Sequence, residues 1–170
     1  MNSMHIVAFA IVLAGAAPVI ADTPPHSLAD LKRLGESELT RLFEGASPGE
    51  IPVGPARGHV LLMSEARLPR VKARLANSVW KGKHFDADGG FINQWPGFQA
   101  LRGSGAVGTS WHDAKPCLVL DYPSGTPVFG NTRDELRQVA PGLYLGRLYE
   151  RCPCPRFRGY FAIEMCCLSK

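Results

Sequence analysis

The stretch Val79–Trp95, "VWKGKHFDADGGFINQW", decides the fold class. Aromatic and β-branched residues flank "DADGG", whose Asp and Gly residues supply the positive φ angles of a tight reversal, so the stretch predicts a β-hairpin. Regular alternation puts Trp80, Gly82 and His84 on one face and Lys81, Lys83 and Phe85 on the other. A glycine between two large side chains leaves room for a ligand or for another ring. "DADGG" lacks the third acidic position and the closing glutamate of a calcium loop, so Asp86 and Asp88 read as turn residues.

The same grammar continues outward from this hairpin. "HVLLM", "FQALRG", "AVGTSW", "CLVLDY", "LYLGRLYE" and "GYFAIEMCC" are further β-type runs, separated by "PG", "GSG" and "HDAKP". The spacers are too short for parallel crossovers, so a mainly β, antiparallel sheet, sandwich or small barrel is expected. Two segments among the strands read as helix. In "RLPRVKARL", Arg67, Arg70, Lys72 and Arg74 face solvent while Leu68, Val71 and Leu75 turn inward. In "NTRDELRQVAPG", Thr132 is the N-cap, Glu135 completes a capping box, and Pro141 and Gly142 stop the helix.

Upstream, "SLADLKRLGESELTRLFEG" is helical, with Leu28, Leu31, Leu39, Leu42 and Phe43 near helical spacing and Ser27 and Asp30 as its cap. Before it, "MNSMHIVAFAIVLAGAAPVIAD" is an apolar run that ends in small residues, with Val19 and Ala21 at the positions a signal peptidase reads. The expected organisation is a signal peptide over 1–21, a helical segment over 22–50 and a β-barrel domain over 51–170, in a secreted or periplasmic protein. No later run reaches the ~20 apolar residues of a membrane helix, so no transmembrane segment is expected after cleavage.

The composition of the 170 residues, 45% hydrophobic and 20% charged with a net charge of +4, suits one globular domain. Its basic residues are dispersed apart from "RLPRVKARL", where no aromatic side chain is interleaved for base stacking, so nucleic acid is not an expected partner.

"SWHDAKPCLVLDYP" puts His112 and Asp113 in a turn, then Cys117, Val119 and Asp121 on one strand face and Leu118, Leu120 and Tyr122 on the other. A carboxylate on an inward face must find a cation, and Arg133 or Arg137 is the expected lock for Asp121. A catalytic alternative uses His84 or His112 as general base, Asp121 or Glu164 as its orienting carboxylate, and Tyr122 or Tyr144 as donor to developing charge. No nucleophile elbow, zinc-protease helix, P-loop or dinucleotide fingerprint is present, and no cofactor is expected.

The tail "RCPCPRFRGYFAIEMCC" holds four of the five cysteines. Cys152, Cys154, Cys166 and Cys167 are disulfide candidates, because a terminal hairpin centred near Gly159 brings Cys152 opposite Cys166. Reduced thiols and a soft-metal thiolate site are the competing readings.

"VWKGKHFDADGGFIN", "SWHDAKPCLVLDYP" and "RDELRQVAPGLYLGRLYE" together resemble a poorly characterised group of small bacterial and fungal domains. The group carries W-x-G-K-x-F-D, a strand ending in L-D-Y, and R-D-E-x-R-x-V-x-P-G-L-Y-L-G. The matching positions include Trp80, Gly82, Lys83, Phe85, Asp86, Trp111, Asp121, Tyr122, Arg133, Asp134, Glu135, Arg137, Tyr144 and Gly146. The resemblance implies a lipocalin-like, calycin-type barrel with a central cavity for a small hydrophobic or amphipathic ligand. Trp80, His84, Trp111, Asp121, Tyr122, Arg133, Arg137 and Tyr144 are the candidate ligand-binding residues. An enzyme acting on an apolar substrate in the same cavity, or a soft-metal protein, is the alternative.

Overall fold

The computed structural model describes residues 25–64, 69–127, 129–151 and 153–166. The expected signal peptide, Arg67, Leu68, Cys152 and Cys167 lie outside the described residues. Two short helices come first, α1 (Leu28–Leu31) and α2 (Glu36–Gly45), followed by strand β1 (Gly54–Met63) and helix α3 (Pro69–Val79). Strands β2 (Gly82–Phe85), β3 (Gly90–Trp95), β4 (Phe98–Thr109) and β5 (Pro116–Asp121) follow. The last three are β6 (Thr132–Ala140), β7 (Leu143–Glu150) and β8 (Arg156–Met165).

Each strand pairs antiparallel with the next, and β8 pairs with β1, so eight strands close an up-and-down barrel. The mainly β, antiparallel barrel expected from the sequence is what forms. Ala56, Phe85, Phe91, Leu120, Leu136, Tyr144, Phe161 and Ile163 pack inside it. The interior is fitted by setting rings over glycines. A Cβ on Gly146 would stand 2.3 Å from the Phe161 ring, and one on Gly58 would stand 2.4 Å from Trp80.

The outer wall is apolar where β1, β7 and β8 meet, and the N-terminal helices cover it. Leu31, Leu39 and Phe43 bury against Leu61, Leu145 and Ala162 there. Leu39 and Phe43 lie four residues apart on one face of α2. The Ser27 cap forms as expected: Asp30 N–H donates to Ser27 Oγ (3.3 Å), and Ser27 Oγ donates back to Asp30 Oδ2 (2.7 Å).

Three expectations are corrected. The segment from Thr132 to Ala140 is strand β6, not a helix. Its helix-forming residues also alternate with period two: Asp134 and Leu136 enter the barrel, while Glu135 and Arg137 are buried on the outer wall with partners there. Pairing on both sides outweighs local helix propensity, and Pro141 and Gly142 become the β6–β7 turn, with Gly142 at φ 69°.

Helix α3 forms but is rolled: Val71 and Leu75 are exposed, and Ala73 is buried instead. β1 pairs with β2 only from Gly54 to Arg57, which leaves the backbone beyond without a strand on that side. Asn77 of α3 takes its place, accepting from Val60 N–H (2.7 Å) and donating to Val60 C=O (2.9 Å). That grip fixes which helix face meets the barrel.

The terminal hairpin of β7 and β8 exists, but it turns across 151–155, with Glu150 opposite Arg156. Pro153 and Pro155 cannot donate to a ladder and therefore place the turn there, while Gly159 lies within β8. Cys154 and Cys166 consequently sit beyond opposite ends of β8, roughly 30 Å of strand apart, and both are free thiols. The expected pairing of Cys152 with Cys166 and a site built from all four tail thiols both involve residues outside the described ones, Cys152 and Cys167.

Candidate functional site

Met63 at the end of β1, Gly82 at the start of β2, Trp95 at the end of β3 and Phe98 at the start of β4 mark one end of the barrel. A cavity of about 290 Å³ opens there. This is room for about ten waters at ~30 Å³ each, near the lower limit of small-molecule sites. Val60, Met63, Ala76, Leu148 and Phe161 supply apolar wall, and Trp80, Trp95 and Phe129 supply rings.

A closed polar network is set into that wall. Lys83 Nζ donates to Tyr122 Oη (2.6 Å) and to Asn93 Oδ1 (3.0 Å), and lies 3.2 Å from Asp134 Oδ2. All three ammonium protons are therefore used. Trp80 Nε1 donates to Asn93 Oδ1 (3.0 Å), and Asn93 Nδ2 donates to Tyr122 Oη (3.0 Å) and to the Leu101 carbonyl (3.1 Å). Tyr122 accepts from Lys83 and Asn93, and its own hydroxyl points at Asn93 Oδ1 at 3.4 Å.

Local backbone irregularity builds part of this network. Leu101 takes φ 65° at the β3–β4 register shift, which turns its carbonyl toward Asn93. Gly82, at φ 140° with only backbone where a Cβ would sit, interrupts the alternation before β2, so both Trp80 and Lys83 reach the cavity.

Burial pushes the Lys83 ammonium down and the Asp134 carboxyl up from their ordinary values, and the attraction between the two opposes both shifts. Burial, reinforced by the Asp134 charge, lifts Tyr122 well above the usual phenol value, so its hydroxyl stays a donor. The network carries no net charge with Lys83 and Asp134 both ionised. One group stays unspent: the Trp95 indole N–H is buried with no acceptor among the described residues, and Trp95 lines the cavity.

Of the eight candidate residues read from the sequence, Trp80 and Tyr122 line this cavity. Trp111, Asp121 and Arg133 border a separate groove on the outer wall, where the Arg133 guanidinium lies 4.4 Å over the Trp111 ring. Arg137 is also outside, 4.4 Å over Phe43, holding Asp113 through both carboxylate oxygens (2.8 and 2.7 Å). Those hydrogen bonds take the Asp113 carboxyl down to about 2. Tyr144 is inside, but its hydroxyl donates to the Glu50 carbonyl (2.8 Å). His84 lies on β2 opposite Pro55 and Ile92.

The expected Asp121 lock is corrected. Arg133 stands opposite Asp121 across the β5–β6 ladder but pairs with Glu135, and Arg151 takes Asp121. The groups of the catalytic alternative stay apart: His112 pairs with Glu44 (2.7 Å) and Glu164 with Arg57 (2.7 Å). Sequence reasoning missed Lys83, Asn93, Trp95 and Asp134 as a site. Lys83 and Asp134 were visible as matching positions of the resemblance, and Lys83 shares the face of Phe85. Reading β6 as helix hid their convergence.

No family model and no curated protein matches the chain. A crystal structure of a protein from Thermomonospora curvata is similar to it, with a TM-score of 0.55 at 13% identity. The match covers 81% of this chain and 99% of that one. The likeness supports the barrel fold.

Proposed function

We propose that this protein binds and carries a small, mostly apolar molecule in the cavity at the α3 end of the barrel. The observation that carries the reading is an almost wholly apolar cavity beside a polar network whose donors are spent on one another. A neutral ligand matches a wall whose one ion pair is internally balanced. The resemblance to lipocalin-like domains points the same way. The apolar leader ending at Ala21 supports export, and with it a carrier acting outside the cytoplasm.

Native mass spectrometry of the purified protein, before and after denaturation, tests the reading. A small molecule should leave on denaturation, and an apolar fluorescent probe should bind the emptied protein and be displaced by that molecule. Val60→Trp, which fills the cavity, should abolish probe binding while the protein stays folded by circular dichroism. Undiminished binding in folded Val60→Trp would refute the site.

A further inference from the structure

We propose that the outer face of α3, together with the tip of the β3–β4 turn, docks the cavity mouth onto an anionic phospholipid bilayer. Val71, Leu75 and Val79 recur every four residues and form one stripe, 48%, 67% and 51% exposed. Arg70, Lys72 and Arg74 flank the stripe, Lys81 follows it, and α3 contains no Asp or Glu. At the same barrel end Phe98 is 59% exposed and stacks on Trp95, a cavity-wall residue, with ring centroids 6.3 Å apart. An apolar stripe flanked by cations and one exposed ring thus stand beside the same opening.

A basic helix with an aliphatic stripe inserts that stripe at the headgroup boundary while its cations meet acidic lipid. The occupant follows from this chemistry. Aliphatic side chains without interleaved stacking rings suit acyl chains rather than nucleotide bases. Ala76 and Val79 belong to both the helix and the cavity wall, so docking sets the mouth against the phase that dissolves an apolar ligand. In purpose the inference rests on the carrier reading, but its test needs no ligand.

Leu75→Trp in the full chain is mixed with vesicles of phosphatidylcholine and phosphatidylglycerol in equal parts, with brominated acyl chains as quencher. Relative to the unsubstituted chain, the added indole should be quenched by these vesicles and not by phosphatidylcholine alone. Adding Lys72→Glu and Arg74→Glu should weaken the quenching-detected affinity at least about 25-fold, at about fivefold for each cation lost, without changing the melting temperature. Three results would overturn the proposal. One is vesicle binding without quenching at position 75, as when another part of the chain does the binding. Another is emission from position 75 already blue-shifted before vesicles are added, as with a second copy or the chain's own N-terminal run seated on the stripe. The third is binding of a single-stranded oligonucleotide that the two charge reversals abolish, with no quenching by vesicles. Probe binding in the cavity is measured on the same variants, so loss of docking with retained probe binding leaves the carrier reading standing.

Discussion

Lys83 Nζ lies 3.2 Å from Asp134 Oδ2, with 2% and 6% of the two side chains exposed, so the barrel buries a salt bridge in the wall of its own cavity. Desolvating both ions costs several kcal/mol, which their attraction and the hydrogen bonds that Lys83 donates to Tyr122 and Asn93 only offset. Lys83→Met leaves the Asp134 carboxylate uncompensated and should destabilise the fold by about 3–5 kcal/mol. Lys83→Met with Asp134→Leu removes both charges and should recover most of that loss. Urea unfolding of the two singles and the double checks it; a double variant as unstable as the sum of the singles would contradict the pairing.

The far edge of the Trp80 ring abuts Gly58, and its Nε1–H donates to Asn93 (3.0 Å). The ring has no room to retreat without giving up that bond. Gly58→Ala puts a methyl 2.4 Å from the ring and should cost about 1–3 kcal/mol, as overpacking does. Trp80→Phe in the same chain should return part of the loss, because a smaller ring clears the methyl. Denaturant midpoints of the three variants decide the matter, and a neutral Gly58→Ala would show that Trp80 is not held there.

The barrel was legible because most of its strands announce themselves twice, by alternation and by turn residues such as those of "DADGG", where Asp88 Oδ1 accepts from Gly90 N–H (3.0 Å). β6 was the exception, since Arg, Glu, Leu and Gln carry helix propensity and Thr132 with Glu135 imitates a cap. Only long-range pairing distinguishes the two, and that is not a local property. The site was legible in part for the same reason. Trp80 and Tyr122 were found as large polar-tipped rings on strands. Lys83, Asn93 and Asp134 come from three different strands, and their convergence depends on barrel closure and on the broken alternation at Gly82. Val71 and Leu75 looked like core on helical periodicity, and the grip of Asn77 on β1 turns them to the outside.

Asp113 gives the fold a defined acid sensitivity. Hydrogen bonds from Arg137 hold its carboxyl at about 2, against an ordinary 3.8. A lowered carboxyl stabilises the fold above the unfolded value, and that contribution disappears as the pH falls from 3.8 toward about 2. The difference amounts to about 2 kcal/mol. Asp113→Asn should be less stable than the natural chain at neutral pH, and the gap should close across this window. Urea midpoints of both proteins at stepped pH test it, and a gap that widens on acidification would reverse the sign.

Cys117 is buried on β5, where burial and then the Glu135 charge push its thiol up to about 12. At neutral pH about one molecule in 10⁵ carries the thiolate, which is the species that reacts with alkylating agents. Cys154 is an exposed thiol. Iodoacetamide should therefore modify Cys154 readily in the folded protein. Cys117 should react only as urea opens the β4–β5–β6 wall, at a rate that follows the opening free energy. Peptide mass mapping after timed alkylation separates the two sites. Equal rates at Cys117 and Cys154 without denaturant would mean that the outer wall over β5 opens far more readily than its packing against Glu135 and Arg137 allows.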